Sequence, residues 1–309
     1  MIPIKRGLAP NPGVYTLEGT NTWIVGSEPS IVIDPGPDMP QHLVDVAREA
    51  GRVGAILVTH DHPDHSPGAV PFAELVGAPL YAYRLAGAER IKDGARFSAG
   101  GGCTVVAVHT PGHSADHVCF FAPEEGAVFT GDTVLGRGTS FIDPPEGDLV
   151  KYLHSLQVLS ELSPRTIYPG HGPVVLHAGA KLREYLAHRA EREEQVVAGI
   201  AEGPVTVDAL VATIYAAYAA EVRPLAARSV TAHLLKLEAE GRAERKGRGE
   251  SQTWSASVPK ACARCGRPVK GRGTYCSSCL LTMLQEGADR ADGTAAHSEP
   301  TTRKGERTT

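Results

Sequence analysis

The most informative segment of the chain is Thr59-His60-Asp61-His62-Pro63-Asp64-His65. It follows the apolar run 56–58, which has the composition of a buried β-strand. Three histidines and two aspartates within six residues are not explained by packing in a hydrophobic core, because buried polar groups without partners are costly. His60 and His62 can point to one side of an extended loop and hold one ion, while Asp64 and His65 turn toward a neighbouring ion. The stretch therefore predicts a metal site at the end of a strand.

Further ligand candidates follow later predicted strands. Each of these strands leads into a glycine-containing turn that presents one polar residue. The strand at 104–108 leads to His113, the strand at 127–130 leads to Asp132, and the strand at 166–168 leads to His171. Because glycine permits tight backbone paths close to a metal, these turns extend the predicted site.

The chain from its start to about residue 180 alternates short β-type runs with helical stretches. A helix over 40–50 is predicted to be capped by Asp38 and ended by Gly51, a second follows Ser66, and a third is capped by Asp148. Strands interleaved with helices predict a layered α/β fold. The predicted strands are 14–18, 22–25, 30–33, 55–59, 80–83, 104–108, 117–122, 127–130 and 166–168.

These motifs together resemble the signature of the metallo-β-lactamase superfamily. The match covers residues 14 to 172, and every ligand position is filled. The resemblance implies an αββα sandwich with a dinuclear site at the edge where the ends of the two sheets meet. By the same resemblance, Asp132 bridges the two metals. The other implied ligands are His60, His62 and His113 for the first metal, and Asp64, His65 and His171 for the second.

The implied chemistry is hydrolysis by a metal-bridging hydroxide. Two zinc ions roughly 3.5–4 Å apart share a water and lower its pKa toward neutrality. Iron or manganese is an alternative to zinc in the first site. Asp64 and Asp132 are the expected catalytic residues, and Asp64 is also a candidate for proton transfer.

Several polar residues near the ligands are expected to support them. Ser114 and Asp116 are candidates for orienting the ligand imidazoles, because metal-bound histidine usually donates its other N–H to an oxygen. Asp34, at the end of a predicted strand, is expected to play the same part. His109 and His117 are interpreted as structural residues.

A closer resemblance is to one subfamily of this superfamily, which does not generally carry the paired cysteines found near the end of this chain. The stretches 19–26, 131–136 and 167–172 are similar to the lactamase-β-like subfamily, which ends in a winged helix and includes an endoribonuclease acting on single-stranded RNA. In this sequence the hydrolase domain is predicted over 1–180. Helical patterns at 181–200, 205–219 and 225–240 and a basic hairpin at 242–254 predict a winged-helix domain over 181–257.

Four cysteines form two C-x-x-C pairs near the end of the chain. Cys262 with Cys265, and Cys276 with Cys279, predict a small zinc ribbon over 258–283 that holds one structural zinc ion. The composition of 284–309 predicts a disordered tail. Cys103 and Cys119 lie in apolar stretches and are interpreted as small buried hydrophobes.

Composition and charge place the chain among globular proteins with more than one domain. It has 309 residues, of which 42 % are hydrophobic and 21 % charged. No apolar run has the length needed to span a bilayer, and the start of the chain lacks the layout of a signal peptide, so a cytoplasmic protein without a membrane partner is expected. The net charge of −4 combines −8 over 1–180, with 11 Lys and Arg against 19 Asp and Glu, and +4 over 181–309, with 20 against 16.

Three functions remain open on these observations. The first is a single-stranded RNA endonuclease, suggested by the subfamily resemblance and the basic C-terminal region. The second is a hydrolase of a small thioester or ester, similar to glyoxalase II, which the acidic catalytic domain favours. The third is a DNA-binding regulator with a metabolite-sensing hydrolase domain. The last predicted helix offers only Arg228, His233 and Lys236 for reading bases, which disfavours sequence-specific DNA binding.

Overall fold

The computed structural model describes residues 2–219, 223–257, 263–266, 278–279 and 282–283. The helices are α1 (Pro40–Ala50), α2 (Ala69–Val76), α3 (Leu149–Glu161), α4 (Ala178–Ala201), α5 (Val207–Ile214) and α6 (Arg223–Ala239). The strands are β1 (Ile4–Leu8), β2 (Asn21–Val25), β3 (Ser30–Ile33), β4 (Val53–Leu57), β5 (Leu80–Ala82), β6 (Glu89–Arg90), β7 (Arg96–Ala99), β8 (Cys103–His109), β9 (Val118–Ala122), β10 (Ala127–Gly131), β11 (Thr166–Pro169), β12 (Ala243–Lys246) and β13 (Thr253–Ala256).

Two mixed sheets form the centre of the molecule. The first has the order β1-β2-β3-β4-β5-β6, and its last four strands run parallel. The second has the order β11-β10-β9-β8-β7, in which only β10 and β11 pair in parallel. Alternation of side chains along each strand then assigns one face to the space between the sheets and the other to a helical layer.

The alternation is clear in β2 and β9. Trp23 of β2 and Phe120 of β9 belong to the apolar cluster between the two sheets. Ile24, the next residue of β2, packs in the cluster that includes α1 and α2. Cys119 of β9 packs in the cluster that includes α3 and α4. Both faces of each sheet are thereby covered, which gives the αββα sandwich that the sequence predicts.

The two helices with a predicted capping residue, α3 and α1, begin in different ways. The Asp148 carboxylate accepts hydrogen bonds from the backbone N–H groups of Val150 and Lys151 and so caps α3 as predicted. The prediction that Asp38 caps α1 is wrong, because Met39 occupies the cap position and supplies no side-chain bond. Pro40 begins this helix instead, since its missing N–H needs no partner there.

Strands at the sheet edges differ most from the prediction. The predicted strand over 14–18 is a turn with one bridge, between Gly13 and Leu17. Three strands were not predicted: β1, β6 and β7. These strands are short and largely exposed, and β1 and β7 lie at sheet edges, so their sequences lack the apolar alternation that marks strands buried on one face.

The second half forms the arrangement of helices and hairpin that the sequence predicts. Part of α4, with α5, α6 and the β12–β13 hairpin, encloses a separate apolar cluster around the fully buried Trp254. Cys262 and Cys276 lie outside the described residues, and so do most of the predicted zinc ribbon and the whole predicted tail. Of the other two predicted zinc ligands, Cys265 is exposed and Cys279 is buried. Among the described residues no helix is long and apolar enough to cross a membrane.

Candidate metal centre

All seven side chains predicted as ligands of the dinuclear site meet at one edge of the sandwich. They follow β4, β8, β10 and β11 along the chain, so the ends of strands from both sheets supply them. They form two groups, and within each group the ligand atoms lie within 4.8 Å of one another. The groups are His60, His62 and His113, and Asp64, His65, Asp132 and His171.

The first group consists of three imidazoles that converge on one point. Nδ1 of His62 lies 3.0 Å from Nε2 of His60 and 3.1 Å from Nε2 of His113. Three ring nitrogens at this separation are compatible with one shared cation, because imidazole is a ligand for zinc, iron and copper alike.

The second group combines two imidazoles with two carboxylates. Nε2 of His171 lies 3.0 Å from Oδ2 of Asp64 and 3.2 Å from Nε2 of His65. Oδ1 of Asp132 lies 3.3 Å from Nε2 of His171 and 3.4 Å from Nε2 of His65. The added carboxylates make this group the more negative of the two.

Asp132 joins the two groups through its two oxygen atoms. Its Oδ1 faces the second group, whereas its Oδ2 lies 3.8 Å from Nε2 of His113 in the first. Oδ1 is buried and has no hydrogen-bond partner among the described residues. Since a buried carboxylate oxygen without a donor is costly, this atom fits a metal ligand. The residues present are therefore compatible with a dinuclear centre.

The remaining ring nitrogens of the ligands are held by oxygen atoms, as metal-bound imidazoles usually are. Nδ1 of His65 lies 2.9 Å from Oδ2 of Asp34, so the structure places Asp34 in the supporting position that the sequence suggests. The other contacts of this kind are His60 Nδ1 with Thr59 Oγ1 (3.0 Å), His113 Nδ1 with the Phe141 carbonyl (2.9 Å), and His171 Nδ1 with the Gly19 carbonyl (3.2 Å).

Ser114 and Asp116 do not orient the ligand imidazoles, contrary to the prediction. Oδ2 of Asp116 accepts a hydrogen bond from the backbone N–H of Asp61, and the Ser114 hydroxyl donates to the other carboxylate oxygen of Asp116. These residues brace the backbone of the loop between β4 and α2, and so act on the position of the ligands through the main chain.

His117 supports Asp132 rather than a metal. It is fully buried, and its Nε2 accepts a hydrogen bond of 3.2 Å from the backbone N–H of Asp132. Burial, reinforced by the nearby His113, holds the pKa of His117 well below its usual value, so that the ring is neutral and able to accept. His109 stacks on Tyr83 with 4.3 Å between ring centroids and belongs to neither ligand group.

The charges within the centre reinforce its asymmetry. Burial opposes ionisation of Asp132, yet the neighbouring His171 and His65 hold the pKa of this carboxyl well below its usual value. Burial also opposes charge on His65, but Asp132 and Asp34 raise the pKa of this imidazole well above its usual value. In the first group, burial and then the charge of His65 hold the pKa of His60 well below its usual value.

The segment 19–26, singled out in the sequence, holds the loop that carries His171. The Asn21 side chain donates hydrogen bonds to the carbonyls of Pro169 and Gly172, at 3.0 and 2.9 Å. The Trp23 indole N–H donates to the same Pro169 carbonyl at 3.0 Å. The motif therefore serves to place one ligand between the two sheets.

Gly170 shows how tightly the ligands are packed. A Cβ atom at this position would lie 2.7 Å from Oδ1 of Asp132 and 2.8 Å from Cε1 of His65, distances that real Cβ atoms essentially never show. The glycine in this turn is thus required by close approach to the ligands, as the glycine-containing turns suggest.

A cleft of about 700 Å³ opens over the centre. The exposed ring of Tyr15 and the ring of Phe141 meet edge to face at one side of it, with 5.7 Å between centroids. Arg228 of α6 reaches the rim and forms an ion pair with Asp143. This role of Arg228 could not be predicted from the sequence, because the residue lies 85 positions from its partner. The lining residues are Asn11, Tyr15, Thr16, Pro37, His62, Pro63, Asp64, His113, Asp132, Leu135, Ser140, Phe141, Asp143, Glu146 and Arg228.

Comparison with protein families gives two matches within the chain. Residues 15–171 match the model of the metallo-beta-lactamase superfamily. Residues 206–254 match the model of the beta-lactamase associated winged helix domain. The first match covers β2 to β11 of the sandwich, and the second covers α5, α6 and most of the hairpin that follows.

Curated relatives align with 63–76 % of the chain. An atrochrysone carboxyl ACP thioesterase from Aspergillus chevalieri is 38 % identical over 229 residues, which are 69 % of this chain and 73 % of the relative. An Aspergillus fumigatus protein of the same name is 41 % identical over 206 residues, 63 % of this chain and 64 % of the relative. The lactamase-like protein aptB of Emericella nidulans is 36 % identical over 253 residues, 76 % of this chain and 80 % of the relative.

Solved structures agree on the fold. A beta-lactamase domain protein from Burkholderia ambifaria is 20 % identical with a TM-score of 0.71, over 82 % of this chain and 91 % of that one. A metallo-beta-lactamase family protein from Thermus thermophilus is 21 % identical with a TM-score of 0.68, over 82 % of this chain and 98 % of that one. The shared architecture therefore includes the helical region after the sandwich.

Proposed function

Because the chain belongs to the metallo-beta-lactamase superfamily and is a metal-dependent hydrolase, we propose that it cleaves an acyl thioester. The observation that carries this proposal is the likeness to proteins named ACP thioesterases, which are 38 % and 41 % identical to it. The substrate we propose is an acyl group carried on the thiol of a prosthetic arm. This is the thioester alternative of the sequence analysis rather than its first hypothesis.

Contacts of the basic hairpin weigh against RNA as the substrate. Arg242 lies 2.6 Å from a Glu193 oxygen and 2.9 Å from a Glu240 oxygen, and Arg245 lies 3.4 Å from a Glu238 oxygen. Carboxylates beside these arginines offset the positive charge that a phosphate backbone needs for binding. The relatives named above support the thioesterase hypothesis better than the endoribonuclease hypothesis.

The three side chains considered for reading DNA bases are either paired with a carboxylate or buried. Arg228 pairs with Asp143 at the rim of the cleft. His233 is fully buried, and Lys236 lies 2.7 Å from a carboxylate oxygen of Glu193. A regulator that reads DNA through α6 would have to release these contacts, so we do not favour that function.

We propose the same ligand assignment for the centre as the sequence suggests, with zinc as the metal and iron or manganese as alternatives. A pair of such ions supplies Lewis-acid polarisation of the thioester carbonyl and a water of lowered pKa. Asp132 stays ionised and orients both ligand groups through its two oxygens. His171 lowers the pKa of Asp64, which lies in the cleft as a carboxylate able to accept a proton.

The cleft explains how an acyl chain is positioned. Tyr15, Phe141 and Leu135 give one part of its wall an apolar and aromatic character suited to a carbon skeleton. Arg228 and Glu146 stand at polar positions along the same wall, and Glu146 also lies 3.3 Å from Nε2 of His62. We propose that Arg228 orients an acidic or carbonyl oxygen of the acyl group.

The test compares three substrates with one enzyme preparation. Purified full-length protein is incubated with an acyl-pantetheine thioester, with its oxygen ester and with labelled single-stranded RNA. Thiol release that exceeds ester cleavage and is accompanied by no RNA cleavage is expected. Asp132→Ala is expected to abolish thiol release, whereas Asp45→Ala, an exposed carboxylate variant on α1, retains it. Metal-dependent RNA cleavage with no thiol release would overturn the proposal.

A further inference from the structure

A second cavity, of about 280 Å³, lies on the other side of the loop 138–141 from the catalytic cleft. We call it the back cavity. Helices α4 and α6 and the turn after α5 contribute to its walls, and Ser140 and Phe141 line both the back cavity and the cleft. Its lining residues are Gly138, Thr139, Ser140, Phe141, His188, Arg189, Arg192, Tyr215, Tyr218, Leu225, Ala226 and Ser229.

Two arginines of α4 that line the back cavity are almost completely buried. Arg189 has 3 % of its surface exposed and Arg192 has 5 %. The Arg189 guanidinium lies 5.2 Å from the centre of the Tyr152 ring, and that of Arg192 lies 4.4 Å from the centre of the Tyr215 ring. Buried charges of this kind are ordinarily paired with a carboxylate.

No carboxylate pairs with either arginine among the described residues. Arg189 donates a hydrogen bond of 2.5 Å to the carbonyl of Ser140, and Arg192 donates one of 2.6 Å to the side-chain oxygen of Gln195. The Nε atoms of both arginines and Nδ1 of His188 are buried and have no hydrogen-bond partner among the described residues. Among the described residues that line the back cavity there are hydroxyl groups but no aspartate or glutamate.

We propose that the back cavity binds an oxyanion of the phosphate class. A phosphate oxygen accepts from guanidinium groups and hydroxyls, which are the donors that line this space. The anion supplies the negative charge that no described residue gives the two buried arginines. Ser229 and Thr139 complete the donor set from α6 and from the loop.

The back cavity is linked to the metal centre through the loop it shares with the cleft. Arg189 holds the carbonyl of Ser140, and Nδ1 of His113 lies 2.9 Å from the carbonyl of Phe141. An anion bound beside Arg189 therefore stabilises the loop that positions one of the proposed metal ligands. Arg189 is in this sense a positioning residue.

The phosphate has two possible sources, which share the same chemistry. One is free inorganic phosphate. The other is the phosphate ester of the prosthetic arm that carries the acyl group, and this second source rests on the proposed function. Binding of inorganic phosphate to the back cavity does not depend on that function, so failure of one proposal is distinguishable from failure of the other.

The test measures binding of inorganic phosphate to the metal-loaded, full-length protein by isothermal titration calorimetry. Arg192→Gln is expected to weaken binding at least tenfold. Asp132→Asn, which alters the metal centre and leaves the back cavity intact, is expected to leave binding within about twofold of the original. Binding that survives Arg192→Gln and is lost with Asp132→Asn would place the phosphate on the metals and overturn the proposal. Absence of binding to the unaltered protein would also overturn it.

A second variant guards against loss of folding in Arg192→Gln. Ser229→Glu introduces a carboxylate into the back cavity, with Ser229→Gln as its neutral control of equal size. Because the carboxylate takes the place of the anion, Ser229→Glu is expected to raise Tm by about 2–4 °C over Ser229→Gln and to abolish phosphate binding. A Tm below that of Ser229→Gln would contradict the inferred anion site.

The same titration distinguishes the two sources. Phosphopantetheine is compared with pantetheine, which lacks the phosphate, and with inorganic phosphate. Binding of phosphopantetheine that is at least tenfold tighter than that of either fragment, and sensitive to Arg192→Gln, identifies the arm as the occupant. Equal binding of inorganic phosphate and phosphopantetheine identifies a site for the free ion.

Discussion

Among single residues, Asp34 supports the metal centre from behind the proposed ligand His65. It belongs to neither of the two ligand groups. Its carboxylate accepts from Nδ1 of His65 and from both the backbone N–H and the hydroxyl of Thr59. Fixing the ring of His65 in this way aims the other ring nitrogen at the centre. Residues that act through a ligand in this way are expected to matter nearly as much as the ligands.

Asp34→Asn is therefore expected to weaken metal binding by about 10–100-fold, because the amide holds the imidazole less strongly than the carboxylate does. Equilibrium dialysis against zinc measures the affinity of the folded variant. Asp45→Asn removes an exposed carboxylate of α1 and serves as the matched control. Equal zinc affinities for the two variants would show that Asp34 does not support metal binding.

Gly170→Ala tests the packing of the ligands directly. The added methyl group would meet Asp132 and His65 at less than 3.0 Å, so the carboxylate or the imidazole has to move. We expect loss of at least one bound metal per chain, measured by elemental analysis. The control is Gly179→Ala, where the new methyl group meets only the end of Arg183 at 3.5 Å. A metal content unchanged by Gly170→Ala would show that the ligands tolerate displacement.

What the sequence reveals at this scale depends on how far apart the interacting residues lie. The histidines and aspartates of the stretch 59–65 are recognisable because five of them stand within six positions. Arg228 and Arg189 could not be assigned in the same way, since each meets its partner only when α4 and α6 pack against the loop after β10. A single charged residue on a predicted helix carries no sign of such a contact.

At the scale of single elements, α3 depends on a capping residue that was recognisable from sequence. Asp148→Ala removes the acceptor for two backbone N–H groups and is expected to lower the free energy of unfolding by about 1 kcal/mol. Asp38→Ala is the control, because Asp38 precedes α1 without capping it and its loss is expected to change stability by less than about 0.5 kcal/mol. Urea unfolding measures both. Equal effects would mean that the cap of α3 contributes little.

Strands buried on both faces were predictable, whereas the short and exposed edge strands β1, β6 and β7 were not. The strand β3 was predicted with its observed bounds because all four of its residues are apolar or small and buried. The strand β1 exposes Lys5 and Arg6 and has the composition of a loop. The segment 14–18 shows the converse, since Val14 and Tyr15 suggest a strand but are exposed in a turn beside the cleft. Pairing at an edge depends on the neighbouring strand rather than on local composition.

At the scale of the whole molecule, a buried thiol links stability to alkaline pH. Burial raises the pKa of Cys119 to about 12, from 9.0 for the free group. Between these values the unfolded chain loses a proton that the folded chain keeps, so stability is fully present below pH 9 and falls as the pH rises. The contribution of this thiol to the decline is about 1.4 kcal/mol per pH unit at most.

Urea unfolding at pH 8.5, 9.5 and 10.5 measures this decline. Cys119→Ala is expected to be less stable at pH 8.5, because it leaves a small cavity in the cluster beneath α3, but to lose less stability on going to pH 10.5. Parallel declines for the variant and the unaltered protein would show that this thiol does not contribute to the pH dependence.

The distribution of charge along the chain indicates only part of its domain organisation. The −8 of residues 1–180 and the +4 of residues 181–309 indicate two unlike parts. They do not show that the second part contributes Arg228 to the catalytic cleft, or that Arg242 and Arg245 face glutamates of their own part. The basic C-terminal region suggested RNA and the acidic catalytic domain suggested a small substrate, and the contacts of Arg242 and Arg245 weigh against RNA.

We propose that two metal ions, one held by each of the two ligand groups, support thioester hydrolysis. The most direct measurement is thiol release from an acyl-pantetheine by chelator-treated, full-length protein during titration with zinc. Activity is expected to rise until two ions per chain have been added beyond those that the treated protein retains, and Asp132→Asn is expected to remain inactive throughout. Full activity before any zinc is added, or with Asp132→Asn, would show that the proposed metal centre is not needed for thioester hydrolysis.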